Sequence, residues 1–294
     1  MNHPLIPDPT APLTPSGNLR RRQIVSAIAE VAATGAAVIA LAALAVVLWT
    51  IVSRGLPAIS LDFLLKGYPD GVGPMLLGTV VIALLATAIA MPIGVLVALY
   101  ITEYSGAKGA LTLKLVLDLL NGLPSILLGL FAFVFIVEAQ GKQTAFAGSV
   151  ALAIIELPLI ARGSQEVLQL VPKHLREASD ALGVARWRTV LTVVLPSALG
   201  GIVTSTILAV ARAAGETAPL ILTTSAFDPK TFSLNPFEAL PNVPTWIYKV
   251  SEEGNPNGYA EAWGMSLVLV FIILVASLGA RALLARSKRK LSSS

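Results

Sequence analysis

The chain has 294 residues, of which 55% are hydrophobic and only 13% charged, with a mean hydropathy of +0.78. A soluble domain carries about 25% charged residues, so this composition excludes an ordinary water-soluble globule. There is no cysteine, and the two histidines, His3 and His174, lie far apart, which excludes disulfides and thiolate metal sites and suggests no histidine-based metal site.

Uncharged runs of 18 or more residues read as membrane spans. Residues 1–19 hold five prolines and no apolar periodicity, so residues 1–22 are predicted to be a disordered tail. Residues 31–52 form the first run, too long for a cleaved signal core. A second run lies within 71–102, a third at 119–137, and a fourth at 143–161, where Glu156 is the one charge. The fifth is 189–211 and the sixth 262–280. The fold class that follows is all-α, a polytopic membrane protein with six transmembrane helices. The membrane domain is predicted over 23–286, with a basic tail at 287–294.

Lys and Arg set the orientation. Fifteen of the 21, among them Arg20–Arg22, Lys108, Lys114, the 162–188 connection and the C-terminal cluster, fall on one side, and five fall on the other. Both termini are therefore predicted to be cytoplasmic. The net charge of +4 follows from this bias and carries no nucleic-acid inference. The last external loop, about 225–261, is rich in proline, and its Trp246 and Tyr248 are predicted to rest at the membrane interface.

The fourth connection contains an amphipathic segment, with Pro172 predicted at its first helical position and Gly183 as its stop. Leu175, Ala178, Ala181 and Leu182 fall on one face, and Arg176, Glu177 and Asp180 fall elsewhere. Such a helix either lies on lipid headgroups or docks a cytoplasmic partner in a groove. From Thr189 to Ala226 the only charges are Arg212 and Glu216, four residues apart and so one turn on a helix. Thirty-eight residues exceed one crossing. Either the helix starts or kinks at Pro196, or the chain breaks near Gly215 and Pro219. Ionisable residues inside a membrane mark functional sites, although an intrahelical ion pair is the plainer reading of these two. Pro124 interrupts the third run, and Ser125 beside it can offer a hydroxyl to a passing oxyanion. There is no G-x-x-x-x-G-K-[ST] phosphate loop, so the chain is not expected to hydrolyse ATP.

Glu177-Ala178-Ser179, Gly183 and Leu195-Pro196 resemble the coupling (EAA) loop of ABC importer permeases, the type I or MetI-like architecture, over residues 172–196. Ser179 and Val193 depart from the usual Ala and Ile. Residues 211–219, ARAAGETAP, resemble the corresponding stretch of the PstA family of phosphate permeases, as do Asn121–Ile126 with Gly129 and Ala262-Trp263-Gly264. The resemblance covers about residues 20–285. It implies a non-enzymatic permease subunit in a bacterial plasma (inner) membrane, without cofactor or metal. Its implied partners are a second homologous permease, two cytoplasmic ATPase subunits and an extracytoplasmic phosphate-binding protein. It implies that Glu177, Ala178, Ser179, Gly183, Leu195 and Pro196 serve ATPase coupling. Arg212, Glu216, Thr217 and Ser125 are expected along the path of inorganic phosphate. The alternatives are a permease for another oxyanion such as molybdate or phosphonate, an ion-coupled carrier using Glu216 or Glu156, or an added sensing role.

Overall fold

The computed structural model describes residues 19–254 and 256–292; residues 1–18 of the predicted tail and the last two of the basic tail lie outside them, while residues 19–22 of that tail already belong to the first helix. By its contacts the chain divides after Thr50. The first unit holds helix α1 (Leu19–Gly55) up to that residue; the helix opens with Arg20–Arg22 and is free of charge from Val31 to Ser53, and none of its membrane-spanning window is buried.

The second unit, Ile51–Ser294, contains the core. Short α2 (Leu61–Leu65) is capped by the Ser60 hydroxyl, which accepts from Phe63 N–H at 3.0 Å. Helix α3 (Gly73–Leu99) continues into a π-turn at Tyr100–Tyr104. Helix α4 (Ala107–Gly122) is followed by α5 (Ser125–Ala132), a second π-turn and short α6 (Glu138–Gln140). Helix α7 (Ala145–Leu170) is the most buried span. Then come α8 (Lys173–Ala181), α9 (Arg186–Thr189), α10 (Leu195–Ala213), α11 (Ala218–Thr223), α12 (Val243–Glu253) and α13 (Pro256–Ser292).

Among the described residues, five helices are long and apolar enough to cross a membrane, and a bent pair makes a sixth if taken as one span. That pair corrects the third predicted run. Leu123 and Pro124 are both extended, and the chain turns by 95° between 107–122 and 125–140. Proline lacks the amide a helix needs and pushes its predecessor out of the helical region, so residues 119–122 end α4 and the crossing segment starts at Ser125. At Pro196 the opposite holds. The helix runs unbroken from Arg186 to Ala213, because a third π-turn at Val190–Val194 precedes the proline. An extra residue in the turn lets the helix pass a position with no donor.

The core packs α3 against α7, and α7 against α10, through small residues. Gly94 sits on Ile160, Gly163 on Ser205 and Gly201 on Val167. One cluster joins Ile82, Ala86, Leu152, Ile160, Ala209 and Leu220. Another gathers Phe63, Met75, Val243, Trp246 and Met265 beneath α12. Trp246 is only 4% exposed and stacks edge-on against Tyr68. The interface position predicted for it is therefore wrong: α12 turns this ring inward and leaves Tyr248 exposed. The segment 224–242 is tied across the start of α7. Ala145 and Phe146 donate their amides, otherwise orphaned at a helix start, to the Glu238 and Pro236 carbonyls at 2.7 Å.

Candidate functional site

Two regions gather the residues singled out by sequence. The first is the break after α10. The helix ends at Ala213, and successive tight turns follow: Gly215 N–H donates to the Arg212 carbonyl at 3.2 Å and Glu216 N–H to that of Ala213 at 3.0 Å. Helix α11 then starts at Ala218 with Pro219 in its first turn. Arg212 and Glu216 therefore do not share a helix. Their closest approach, Arg212 Nε to Glu216 Oε1, is 4.0 Å, with the arginine side chain 55% exposed and the glutamate 19%. The intrahelical pair expected from the spacing is replaced by a loose contact across a helix end.

The break meets the bend. A Cβ on Gly129 would lie 2.5 Å from Pro219 Cα, so α5 and α11 touch backbone to backbone at that glycine. Ser125 is half-buried at the first position of α5, one turn before Gly129 and so on the same face. Two motifs about 90 residues apart in sequence thus form one junction. Gly148 of α7 seats Leu220, Thr223 and Thr224 from the other side. The far end of α11 is held by a residue the sequence did not single out. Gln143 Oε1 accepts the amides of Ser225 and Ala226 at 2.7 Å and the Ser225 hydroxyl at 3.2 Å, and its Nε2 donates to the Leu222 carbonyl at 3.1 Å. A polar residue directly before an apolar helix is the signal that could have marked it.

Chemically, the break presents a guanidinium with five donors and a fixed charge, only loosely held by one carboxylate. An oxyanion can be gripped there in bidentate fashion.

The second region is α8 with α9. Helix α8 begins at Lys173, with Pro172 as its cap rather than its first helical residue. It ends in a Schellman turn: Val184 N–H donates to the Ser179 carbonyl, and Gly183 N–H to that of Asp180. Gly183 has φ +68°, the left-handed conformation that glycine adopts without penalty. The apolar face named from the sequence is split: Leu175 turns inward and the rest of it stays outward. The inward residues are Leu175, Arg176 and Ser179, while Glu177, Ala178, Ala181 and Leu182 are exposed, Leu182 to 82%. Trp187 on α9 is 55% exposed as well. Ser179 is buried and its hydroxyl lies 2.6 Å from Thr189 Oγ1, tying α8 to α9. Leu195 packs, with Leu175, against Ala98, Leu168, Val190 and Val194. Pro196 is exposed on the following span, away from α8.

Sequence reasoning missed the ion pairs here. Arg176 bonds Glu103, itself 4% exposed, and Arg162 meets Asp118. The partners are far apart in sequence, so no spacing rule joins them. Glu156 is fully buried and forms no ion pair with an arginine among the described residues; its carboxyl lies 3.0 Å from Thr87 Oγ1.

A family model described as "binding-protein-dependent transport system inner membrane component" matches residues 90–293. The chain is 37% identical over 276 residues to the phosphate transport system permease protein PstA of Xylella fastidiosa (strain Temecula1), covering 92% of this chain and 96% of that one. It is 33% identical over 293 residues to PstA 1 of Mycobacterium tuberculosis (strain H37Rv), covering 95% and 92%. Among solved structures it superposes on a chain of a bacterial alginate ABC transporter in complex with an alginate-bound periplasmic protein, with TM-score 0.61, 15% identity, and 89% and 94% of the two chains covered. It also superposes on a chain of the inward-facing MetNI methionine ABC transporter, with TM-score 0.58, 21% identity, and 74% and 94% covered. At these identities the structural likeness is one of fold.

Proposed function

Because this chain belongs to the family of binding-protein-dependent transport system inner membrane components, we propose that it is the permease subunit of an ATP-driven importer of inorganic phosphate. Relatives that are a third or more identical over more than nine-tenths of the chain bear the name of phosphate permeases, and they support this substrate. The observation that carries the reading is the loosely paired, half-exposed Arg212 at a broken span. A free guanidinium in an apolar segment is costly unless it meets water or an anionic ligand. Arg212 grips the phosphate, and Ser125 and Thr217 line the same junction. Glu216 offsets the charge of the empty path. It also accepts the proton of hydrogen phosphate, which sulfate lacks, and so favours phosphate over sulfate.

A second homologous permease completes the path, and an extracytoplasmic binding protein delivers the ion. Two ATPase subunits seat against the outward apolar face of α8 and Trp187, the kind of uncovered apolar surface that marks a protein interface. ATP hydrolysis belongs to those subunits. Both termini and α8 face the cytoplasm, as the Lys/Arg distribution demands. The test is uptake of labelled phosphate by proteoliposomes holding the assembled transporter, with and without internal ATP. Uptake that needs ATP, is competed by phosphate and is not competed by molybdate or phosphonate supports the reading. ATP-independent uptake driven by an ion gradient overturns it.

A further inference from the structure

Helix α8 is joined to the rest of the molecule by three kinds of contact. Leu175 rests on an apolar cluster, Ser179 bonds Thr189, and Arg176 reaches inward. Apolar contacts tolerate sliding, and a single hydroxyl bond links α8 only to the neighbouring α9. Arg176 is different in number and direction. Its Nε and Nη2 donate to Glu103 Oε1 at 3.1 and 2.7 Å, and Nε also reaches Glu103 Oε2 at 3.3 Å. Nη1 donates to the Val171 carbonyl at 2.7 Å, and Nη2 to the Leu168 carbonyl at 3.0 Å. Those two carbonyls belong to the end of α7, where a helix leaves its last acceptors unpartnered and its dipole favours a cation. Glu103 belongs to the π-turn that ends the α3 span. One planar guanidinium thus joins α8 to the ends of both core spans, α3 and α7. Its side chain is 22% exposed and that of Glu103 4%, so the pair is shielded from screening.

We propose that Arg176, held by Glu103, is the positioning residue that carries displacement of α8 into the α3–α7 core, so that ATPase movement becomes movement of the path. This rests on the importer reading above. A rigid fork of charge-assisted bonds transmits a push or a pull because its planar nitrogens are fixed in direction and all engaged at once. Arg176 touches no substrate in this scheme. Lysine keeps the charge but cannot reach α3 and α7 together, so Arg176→Lys should fall between wild type and Arg176→Gln.

The test uses the complete transporter in proteoliposomes and reads phosphate transported per ATP hydrolysed. Arg176→Gln and Glu103→Gln should assemble with the ATPases and hydrolyse ATP, while phosphate per ATP falls by about tenfold, within the usual span of coupling between sites. An unchanged ratio in both variants, whether or not total uptake drops through poor assembly, overturns the proposal, since a merely structural contact would lower both quantities together. A second readout does not depend on the transported ion. Spin labels on His174→Cys and Tyr100→Cys, both exposed in a chain otherwise free of cysteine, report the separation of α8 from the end of α3. It should stay constant across nucleotide states with Arg176 present and change with Arg176→Gln. A separation that is equally constant in the variant defeats the strut. A wild-type complex that couples ATP to no phosphate uptake defeats the importer reading instead, and the label distances still decide the strut.

Discussion

The two ends of the α10 region treat charge in opposite ways. At α8 the charge is committed: Arg176 is held by Glu103 and by the Leu168 and Val171 carbonyls, with the carboxylate buried. At the break after α10 a single arginine stands half-exposed, 4.0 Å from its carboxylate. Such a committed charge holds helices in place, because removing Arg176 would leave Glu103 buried and unpaired. An uncommitted charge in an apolar segment is available to a ligand. The same residue types therefore read as scaffold in one region and as site in the other, and the difference lies in bond number and burial.

The comparison breaks most readily at Arg212. Arg212→Gln should lower phosphate uptake by about 10- to 100-fold, since a hydrogen bond to a charged group is worth roughly 1.5–3 kcal/mol. The double variant Arg212→Gln with Glu216→Gln should stay equally inactive while inserting normally. Strong uptake by that double variant would make the pair a structural one, like that at α8. Next in size is Gly129→Val. With Pro219 Cα only 2.5 Å from the position of a Cβ, the added side chain must force α5 from α11. Overpacking of this kind costs about 1–3 kcal/mol, and reduced abundance together with lost uptake is expected on immunoblot and transport assay. Gly183→Pro acts at the other region. It removes the amide bonded to Asp180 and cannot adopt φ +68°. The protein should stay in the membrane while the ATPases co-purify several-fold less, and unaltered co-purification would argue against docking at α8. Smallest is Glu156→Gln. Glutamine can keep the contact with Thr87, whose hydroxyl also has the Ala83 carbonyl at 2.8 Å as a partner, so stability should change by less than about 1 kcal/mol in thermal or denaturant unfolding.

Much of this molecule was legible in its sequence, for reasons that differ by element. The apolar runs were, because a membrane imposes length and hydropathy directly. The limits of α8 were nearly so, since Pro172 and Gly183 act on the backbone beside them. The alternative of a break near Gly215 and Pro219 is the one the chain takes. Less legible was the angle at Leu123-Pro124: a proline announces an interruption, but neighbouring helices decide whether it is a kink or a 95° turn. The faces of α8 were legible in part: the expected apolar side carries Leu175, which turns inward, and Ala178, Ala181 and Leu182, which stay outward. Here Arg176 and Ser179 have inward partners, and the outward part of the apolar side is left uncovered. Trp246 was misplaced because a ring that suits an interface also suits a core. The Arg176–Glu103 pair joins residues 73 apart, and nothing local foretells it.

The Gln143 side chain has a consequence for how the junction opens. Its amide occupies four groups at the end of α11, two of them backbone N–H groups. Those amide protons share one acceptor atom, so they are released to solvent together or not at all. Native-state hydrogen exchange should show Ser225 and Ala226 with matched protection, and Gln143→Leu should abolish both at once. The α11 segment is then tethered at its Thr224 end and unrestrained by side-chain bonds at its Thr217 end. Losing the Gln143 bonds therefore loosens the Thr224 end, while Pro219, packed on Gly129 of α5, still holds the first turn.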